Sequence, residues 1–472
     1  MRRFPVIGLI VALVAAGIVV DRLVDRPAPE PVSEVSASGT PTAAGASALS
    51  STWYCAGGAS NPASPYNGGL TVANPTDRDV TGTVSIVSDQ GATASVPITV
   101  KASAAVTLEY GQSMAPAYVA ATVDLDSGQV VVEHWVASAA GRSVAPCASR
   151  ASTSWFFADG ATARDAQLLL ALYNPFPEDA IADLSFATNE GRAAPADFQG
   201  IVVPAGRVVV RDIGEHVRRR DTVATEVRLR SGRLVADQLL NRTAPGQAGV
   251  ALRLGASAPA LEWYFPDGYY TDGIVEEYAV FNPTDAEALV DVEVTLDEGA
   301  AEPFELTVPP HGRVSVTAHA EERLPKNVGR AVVVRSVNNV PVVAERSVAA
   351  AAPAPRSGRS GLLGATRTAR VWAFAYGAAT PTSDEWIIVF NPSDRETTVS
   401  ITALADGRML PVEGLQGVII APGRRQGFRL NEHVQRPALP LVVRSSERVV
   451  VQRDVFTVGG PGIADAMGIP LD

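Results

Sequence analysis

The sequence predicts an all-β protein in which four tandem immunoglobulin-like β-sandwich repeats follow one N-terminal transmembrane helix. Three observations lead to this prediction. A tryptophan-led aromatic phrase occurs four times, each occurrence is followed by an apolar run that ends in Asn-Pro, and one uncharged stretch precedes them all. Because self-similarity at a fixed period is the signature of repeat architectures, the repetition indicates the fold class before any single strand is considered.

Each copy opens with a short apolar strand that carries a tryptophan. The four phrases begin at Trp53, Trp155, Trp263 and Trp372. The Asn-Pro dipeptides begin at Asn74, Asn174, Asn282 and Asn391. Proline lacks the donor that a β-ladder needs and asparagine favours turns, so each dipeptide is expected to end a strand. A tryptophan at the same strand position in every copy is expected to lie in the core rather than in an exposed sugar-stacking strip.

The remaining strands follow in a fixed order, which the second copy illustrates. An apolar run from Gln167 to Tyr173 ends at Asn-Pro, and a run from Ala180 to Thr188 ends at a glycine turn. Short valine-rich runs and a hairpin complete the copy, giving about seven strands, the pattern of an immunoglobulin-type sandwich. The rival architecture, a β-propeller blade, has four strands and about 40–50 residues, so each copy is too long for one.

The repetition also sets the domain boundaries. We predict a signal-anchor transmembrane segment over 1–26, a disordered Pro/Ala/Ser stalk over 27–50, and β-sandwich repeats over 51–149, 150–257, 258–367 and 368–472. The stalk contains no aromatic residue, and such a composition cannot bury enough apolar surface to fold. Because the junctions between copies are short, we expect the four sandwiches to form a semi-rigid rod or curved array with few free hinges.

The N-terminus predicts the compartment. Arg2 and Arg3 precede an uncharged stretch over 4–20, and a helix of that length spans about 25 Å, near the lower limit for a bilayer core. A cleaved signal peptide is the alternative, but no small-x-small cleavage site directly follows the stretch. We therefore expect a single-pass plasma-membrane protein anchored through residues 4–20, with a cytoplasmic N-terminus and residues 27–472 extracytoplasmic. The formal net charge of −11 argues against nucleic acid as a partner.

The two cysteines serve as an internal control on the repeat. Cys55 stands where the later copies have Phe157, Phe265 and Phe374, and Cys147 stands where they have Gly255 and Gly364. We expect the phenylalanine ring to pack over the glycine backbone in those copies, and a disulfide to replace this contact in the first copy. Two facing cysteines outside the cytoplasm favour a disulfide over the alternative of two free buried thiols.

The sequence contains no recognisable catalytic set. Its histidines are His134, His216, His311, His319 and His433, and none has the spacing of a metal-binding pair. Nucleophile-elbow and phosphate-loop motifs are absent. The second strand of the hairpin that completes each copy is called the return strand. Glu133, Asp237 and Glu345 recur at the end of its valine-rich run in three copies, and we expect them to satisfy backbone donors or to pair with Arg346 or Arg453 rather than to catalyse. We predict no catalytic, cofactor or metal site, with a calcium site built from Asp159, Asp267 and nearby acids as the alternative.

The third copy carries the fullest motif set: Trp-Tyr-Phe-x-x-Gly from Trp263, Asn282-Pro283, Val-Pro-x-x-Gly-Arg from Val308, and Val-Val-x-Glu-Arg from Val342. With these motifs, one anchor and a cysteine in the first tryptophan phrase, the chain resembles the actinobacterial membrane-anchored envelope family named domain of unknown function 5719, over about residues 51–472. The resemblance implies an envelope location and tandem β repeats but no activity. The first copy departs most, through Cys55 and Lys101-Ala102-Ser103, and is expected to act as a capping module.

These observations favour a non-enzymatic protein. The main hypothesis is a membrane-anchored extracytoplasmic β-repeat protein that acts as a cell-envelope scaffold or binding module, with an envelope polysaccharide or protein as its partner. The first alternative is an accessory or regulatory subunit of an envelope glycan-building enzyme. The second is a hydrolase with a site at the junction between two modules.

Overall fold

The structure is a computed structural model that describes residues 39–60, 66–115 and 117–472. Within these ranges the chain is built from β-strands with five short 3-10 turns, and it contains no α-helix. The all-β prediction is therefore confirmed for this part of the chain. No helix in the described ranges is long and apolar enough to cross a membrane, and the predicted anchor over 4–20 lies outside them.

We call the four parts of the chain between the predicted repeat boundaries its segments. The first segment (51–149) contains β1 (Ser51–Ser60), β2 (Asn67–Asn74), β3 (Val80–Ser88), β4 (Thr93–Val100), β5 (Ala104–Glu109), β6 (Ala117–Leu125), β7 (Val131–Ser138) and β8 (Gly141–Pro146). The second segment (150–257) contains β9 (Ser154–Phe157), β10 (Ala166–Asn174), β11 (Ala180–Thr188), β12 (Gly191–Ala193), β13 (Ile201–Val203), β14 (Arg207–Asp212), β15 (Val223–Ser231), β16 (Val235–Arg242) and β17 (Gly249–Leu254).

The other two segments follow the same succession of strands. The third segment (258–367) contains β18 (Glu262–Phe265), β19 (Ile274–Phe281), β20 (Ala288–Leu296), β21 (Ala300–Val308), β22 (Arg313–Thr317), β23 (Arg330–Ser336), β24 (Val343–Ala350) and β25 (Gly358–Leu363). The fourth segment (368–472) contains β26 (Ala369–Phe374), β27 (Ser383–Asn391), β28 (Thr397–Ala405), β29 (Arg408–Pro411), β30 (Val418–Ile420), β31 (Arg424–Arg429), β32 (Leu441–Thr457), β33 (Ile463–Met467) and β34 (Ile469–Pro470). The 3-10 turns are Tyr110–Gln112, Ala196–Phe198, Ile213–Glu215, Ala318–Ala320 and Leu430–Glu432.

The strands pair in the same antiparallel order in each segment. In the first segment one sheet has the order β1-β6-β3-β4 and the other β5-β2-β7-β8; in the third the orders are β18-β23-β20-β21 and β22-β19-β24-β25. In the second segment β14-β10-β16-β17 forms the second sheet, and β12 and β13 both pair with β11 in the first. In the fourth segment the long β32 belongs to both sheets, so they join into one nine-stranded sheet.

The opening tryptophan of each segment lies in the core, as the sequence predicts. All four tryptophans are at most 1 % exposed. The indole Nε1 of Trp155 donates to the carbonyl of Leu234 at 2.8 Å, and that of Trp263 donates to Val342 at 2.8 Å. Trp372 Nε1 likewise donates to Val449 at 3.0 Å, whereas Trp53 Nε1 has no partner among the described residues. Since all four rings are buried, the tryptophans do not form an exposed sugar-stacking strip.

The asparagine of each Asn-Pro dipeptide is fully buried and makes one repeated set of hydrogen bonds. Asn74 Nδ2 donates to the carbonyls of Arg78 at 2.7 Å and Val100 at 3.1 Å, and its Oδ1 accepts from the amide of Thr76 at 3.0 Å. The equivalent bonds are present at Asn174, Asn282 and Asn391. The side chain thus joins the turn after one strand to the end of another strand, which is a structural role.

The contact between the first strand and the closing strand has the form expected from the cysteine positions. Cys55 and Cys147 form a disulfide in the first segment. In the second segment a Cβ added to Gly255 would lie 2.7 Å from the ring of Phe157, so only glycine fits there. The same approach occurs between Phe265 and Gly364, and between Phe374 and Gly468.

The strands that follow the return strand in the four segments are β8, β17, β25 and β33, and they meet each other in a closed cycle. β8 lies against β17 and β33, and β25 also lies against β17 and β33. The fourth segment therefore returns to the first. Of the two expected arrangements, the rod was wrong and the curved array closes on itself, because the strand pattern of one copy contains no information about the rotation between neighbouring copies.

Glycine permits the close approach at one end of this cycle. The glycines at or beside the starts of the four last strands all have positive φ: Gly141 (126°), Gly249 (150°), Gly358 (125°) and Gly462 (153°). A Cβ added to Gly358 would lie 2.8 Å from the backbone nitrogen of Gly462. Any larger residue there would push the strands of the cycle apart.

Residues 39–48 lie against the body and touch more than one segment. The amide of Ala43 donates to the carbonyl of Pro470 at 3.1 Å, and the amide of Ser257 donates to the carbonyl of Gly39 at 3.2 Å. The amide of Thr42 donates to Ser149 Oγ at 3.2 Å. The predicted disorder is therefore wrong for residues 39–48. Their composition does not let them form a core of their own, but hydrogen bonds to the body hold them in place. Residues 27–38 lie outside the described ranges.

Candidate binding cleft at the closing junction

Three of the four junctions between segments share one hydrogen-bond pattern. In each, a carboxylate at the third residue of the return strand of one segment (β7, β16 or β24) accepts from two successive amides in the tryptophan phrase of the neighbouring segment. Asp237 Oδ2 accepts from Ala56 at 2.9 Å and Gly57 at 2.7 Å; Glu345 accepts from Ala158 and Asp159, both at 3.1 Å; Glu133 Oε2 accepts from Ala375 and Tyr376, both at 2.7 Å. We call this arrangement the carboxylate–amide contact. The expectation that these acids satisfy backbone donors is confirmed, and the donors come from the neighbouring segment.

The junction between the third and fourth segments lacks the carboxylate–amide contact on both sides. Pro266 occupies the first donor position and has no N–H, and Gln452 occupies the acceptor position. Arg425 joins the two segments instead, with Nε donating to the carbonyl of Pro266 at 3.1 Å and Nη2 pairing with Asp267 at 2.8 Å. The loss of one backbone donor and the loss of the carboxylate thus occur at the same junction, where the remaining acceptor Gln452 Oε1 has no hydrogen-bond partner among the described residues.

Burial dominates the electrostatics of these acids. Desolvation raises the pKa of Asp237 to about 7, although two backbone hydrogen bonds oppose the rise. His134 Nε2 lies 3.4 Å from Asp237 Oδ2, and burial lowers the pKa of this imidazole to about 3, so it is neutral near pH 7. Glu133 has a charged partner instead, since Arg453 Nη1 lies 2.9 Å from its Oε2.

The aspartates considered for calcium are engaged by arginines. Asp159 Oδ2 lies 2.8 Å from Arg253 Nη2, and Asp267 pairs with Arg346 at 3.2 Å as well as with Arg425. Nearby guanidinium groups hold the pKa of Asp159 below its usual value despite its burial. Within the described ranges no three His, Cys, Asp or Glu side chains form a group that could hold a metal ion.

The tripeptide Glu-His-Val occurs twice, at 215–217 in the second segment and at 432–434 in the fourth. His216 Nδ1 lies 3.1 Å from Asp197 Oδ2 in the second segment, and His433 Nδ1 lies 2.8 Å from the carbonyl oxygen of Glu413 in the fourth. Each contact lies within one segment. These histidines do not meet in a common site.

A cleft of about 650 Å³ lies at the junction between the fourth and first segments, where the cycle closes. We call it the closing cleft. Its lining residues from the first segment are Thr71, Ala105, Thr107, Glu109, Trp135, Ala137, Ser138, Gly141 and Arg142. From the fourth segment they are 375–378, Thr380, Thr382, Ser383, 437–440, Val455, Thr457, Pro461, Gly462 and Ala464. The size is typical of ligand sites.

Small residues of the first segment keep the closing cleft open. Ala105 pairs with the residue before the buried asparagine, a register position that Val208, Arg313 and Arg425 hold in the other segments. Arg313 and Arg425 reach across their junctions and donate to carbonyls of the neighbouring segment. Alanine cannot make that contact, so the corresponding volume remains empty.

A second small residue, Gly69, makes room for the indole of Trp135, since a Cβ added there would lie 2.9 Å from that ring. Gly69 pairs with Trp135 across β2 and β7. The equivalent positions, two residues before the partner of the recurring acid, are held by Leu169, Glu277 and Trp386. A side chain of that size is missing only from the first of the four segments.

An aromatic and guanidinium stack forms part of the lining. The Cζ of Arg142 lies 4.5 Å from the ring centroid of Trp135 and 5.7 Å from that of Tyr376. Arg142 Nη1 also donates to the hydroxyl of Tyr376 at 2.9 Å. Cation–π attraction holds the guanidinium between the rings, which joins the first segment to the fourth across the cleft.

The closing cleft also contains polar groups without partners. Trp135 is 3 % exposed, and its Nε1 has no hydrogen-bond acceptor among the described residues. Glu109 is exposed and has no cation within ion-pair distance in the described ranges. Hydroxyl groups surround them, including the Thr71–Thr107 pair at 3.1 Å. The arrangement can both donate to and accept from a bound molecule.

Of the residues in the stack and of the unpaired groups, the sequence singled out only Tyr376, as part of the fourth tryptophan phrase. Trp135 lies outside the repeated phrase, and Glu109 and Arg142 belong to no motif. One signal was present: Lys101-Ala102-Ser103 and the following alanines depart from the turn and arginine of the other copies. That departure removes the side chains that close the equivalent space elsewhere.

The chain was compared with known proteins. A family model described as a family of unknown function (DUF5719) matches residues 106–239, from β5 to β16. No curated protein matches the chain. Among solved structures, Thermotoga maritima 1070 is 21 % identical over 23 % of this chain and 96 % of its own, with a TM-score of 0.21. Anabaena sensory rhodopsin transducer is 25 % identical over 19 % of this chain and 84 % of its own, with a TM-score of 0.17. These scores are too low to support a structural or functional argument.

Proposed function

We propose that the protein is a non-enzymatic, membrane-anchored binding module and scaffold of the cell envelope. In this proposal the chain consists of four tandem immunoglobulin-like repeats of the actinobacterial unknown-function family, anchored through residues 4–20 with residues 27–472 outside the cytoplasm. The family match over 106–239 and the recurring strand order support the family and the repeats. The uncharged N-terminal stretch supports the anchor.

The observation that carries the proposal is the closed cycle with a cleft of about 650 Å³ at its closing junction. The carboxylate–amide contacts and the arginine contacts fix neighbouring segments to each other, so the closing cleft is preformed. A preformed cleft costs little ordering entropy on binding, which favours affinity. The acids that could have suggested catalysis are already used: Glu133, for example, accepts from two amides and pairs with Arg453.

The lining of the closing cleft favours binding over hydrolysis. Most glycoside hydrolases need two carboxyl groups on either side of the scissile bond. Glu109 is the only Asp or Glu among the described residues that line the cleft. A single exposed carboxylate can accept hydrogen bonds from a ligand but supplies only half of that catalytic pair.

The test uses the full-length protein in detergent with its disulfide intact. We expect it to be retained on one purified envelope fraction, either polysaccharide or protein, without release of reducing ends or fragments. Turnover of a glycan would contradict the non-enzymatic assignment. Crosslinking in membranes that recovers only an inner-membrane glycosyltransferase would favour the accessory-subunit alternative. Failure to bind every envelope fraction would overturn the proposal.

The topology has its own test. External protease should digest residues beyond the anchor in spheroplasts of the source cell, while an epitope placed before Arg2 should stay protected. Digestion of the epitope with survival of the body would contradict the proposed orientation.

A further inference from the structure

We propose that the closing cleft binds a short stretch of an uncharged polysaccharide. This inference rests on the proposed function and names the ligand class of that binding module. Three properties of the described residues carry it: the open space beside Ala105 at the closing junction, the unused hydrogen-bonding groups in it, and the balance of its charges.

The other junctions show what fills the equivalent space. Between the first and second segments, Tyr66 packs in one buried apolar cluster with Leu169, Leu239 and Leu252. Between the second and third, Arg313 crosses the junction and contacts the carbonyl of Ala158 at 2.8 Å. At the closing junction Trp135 packs with Val455 and Ala464, but alanine at position 105 supplies no side chain that crosses the junction, and the cleft lies beside this cluster.

The unused polar groups define what a ligand must offer. The Nε1–H of Trp135 needs an acceptor, because a buried donor without one costs about 1–3 kcal/mol. Glu109 can only accept, so it needs a donor. Arg142 uses one of its donors on Tyr376. A sugar hydroxyl both donates and accepts, so neighbouring hydroxyls of one chain satisfy both requirements.

The apolar part of the lining fits the other property of a sugar ring. Tyr376, Leu439, Pro440 and Val455 line the cleft beside the hydroxyl-bearing residues. Pyranose rings have C–H faces that pack on aromatic and aliphatic surface, while their rims form hydrogen bonds. Alternation of apolar surface with hydroxyl groups is the pattern that such a ligand requires.

Charge argues for a neutral chain. The closing cleft contains one guanidinium, Arg142, and one carboxylate, Glu109. Recognition of a polyanion uses several cations, and the one present is held between two rings. A polycation would meet a single carboxylate. Neither kind of charged polymer is complemented.

The shape of the lining argues against a peptide strand. A peptide commonly adds to the open edge of a sheet through its backbone. Here Thr71 lies on the face of a sheet, because its strand β2 pairs through Thr107 with β5 on one side and through Glu133 with β7 on the other; β5 is the edge strand of that sheet. A face offers side chains rather than free backbone groups, which suits hydroxyl recognition.

The test compares full-length wild type with three variants in detergent. The probes are size-fractionated neutral glucan, mannan, galactan and arabinan oligosaccharides, a polygalacturonate, and extended peptides. Ala105→Arg restores the arginine of the third and fourth segments and should fill the cleft. Trp135→Phe removes the indole N–H together with the five-membered half of the ring and keeps a six-membered aromatic ring, and Val202→Arg adds the same charge as Ala105→Arg at a half-exposed site outside the cleft.

We expect one neutral oligosaccharide to bind by calorimetry, on the order of tenfold more weakly to Ala105→Arg, about two- to tenfold more weakly to Trp135→Phe, and unchanged to Val202→Arg. Binding that is insensitive to the cleft variants would overturn this inference and leave the proposed function standing. Cleft-dependent binding of the peptide or polygalacturonate would overturn the ligand class. Absence of binding to all envelope fractions would overturn both proposals.

Discussion

The first-to-second junction and the fourth-to-first junction have the same carboxylate–amide contact but differ in the charge next to it and in how far side chains fill the space beside it. In the first, Asp237 accepts from two amides with no guanidinium nearby, and apolar side chains fill the space beside it. In the second, Glu133 accepts from two amides, pairs with Arg453 and lies beside an open cleft. The carboxylate–amide contact therefore sets the cyclic arrangement, while the residues beside it decide whether a junction is filled or open.

The largest difference should appear when each acid is truncated. Glu133→Ala leaves the fully buried Arg453 without its partner, and breaking a buried ion pair on one side costs about 3–5 kcal/mol. Asp237→Ala leaves two amides unsatisfied but no charge, so a smaller cost of about 1–3 kcal/mol follows. Urea unfolding of the full-length protein measures both.

Glu305→Ala, which truncates an exposed glutamate, is the matched control for these variants. It should change the free energy of unfolding by less than about 0.5 kcal/mol. Equal costs for Glu133→Ala and Asp237→Ala would show that the arginine adds nothing to the closing junction, and the contrast between the two junctions would fail.

The pH dependence of stability should distinguish the uncharged junction next. The carboxyl of Asp237 has its pKa raised from 3.8 to about 7 by burial. Between pH 4 and 7 the folded protein therefore holds a proton that the unfolded chain has lost, so stability falls as pH rises through this window and is level above it. The slope is at most about 1.4 kcal/mol per pH unit for one group.

Asp237→Asn removes this group while keeping an acceptor. Unfolding free energies measured from pH 5 to 8 should fall less steeply for the variant than for wild type. Glu345, whose pKa burial also raises to about 7, stays in both proteins and cancels from the difference. Parallel pH curves for the two proteins would show that Asp237 keeps its ordinary pKa.

The junction without the carboxylate–amide contact offers a way to build one. Pro266→Ala supplies the missing backbone N–H, and Gln452→Glu supplies the missing carboxylate. Each change alone leaves a buried polar group unpaired, and the new glutamate would face Asp454, which Gln452 contacts at 2.7 Å. Together they should show a favourable coupling of about 1 kcal/mol in a double-mutant cycle.

Urea denaturation of the wild type, the two single variants and the double variant, followed by circular dichroism, gives the coupling free energy. Errors common to the four proteins cancel in the double-mutant cycle. Additive effects would mean that a glutamate at position 452 does not come within hydrogen-bond distance of the amide at position 266. The arginine contact of Arg425 with Asp267 would then be an exclusive alternative to the carboxylate–amide contact.

How much of this comparison the sequence predicts depends on where a contact lies. Contacts inside one copy were predictable, because Trp155, Asn174 and the Phe157–Gly255 approach recur in every copy or are replaced by the cysteine pair. The cycle was not predictable, because the partner of Asp237 is a pair of amides with no side-chain signature. Its one trace is the joint occurrence of Pro266 and Gln452. That pairing becomes meaningful only once the neighbouring segments are seen to touch.

The smallest expected effect concerns the cleft itself. Ala105→Arg introduces the side chain that Arg313 and Arg425 supply elsewhere, into space that no described side chain occupies. Because it neither removes a buried contact nor leaves a charge out of reach of water, its effect on unfolding should stay within about 0.5 kcal/mol. Denaturation of this variant beside Val202→Arg measures it. A loss above about 2 kcal/mol would mean that the small residues of the closing junction are needed for packing, and the open cleft would then be a consequence of how the cycle closes rather than a site kept free for a ligand.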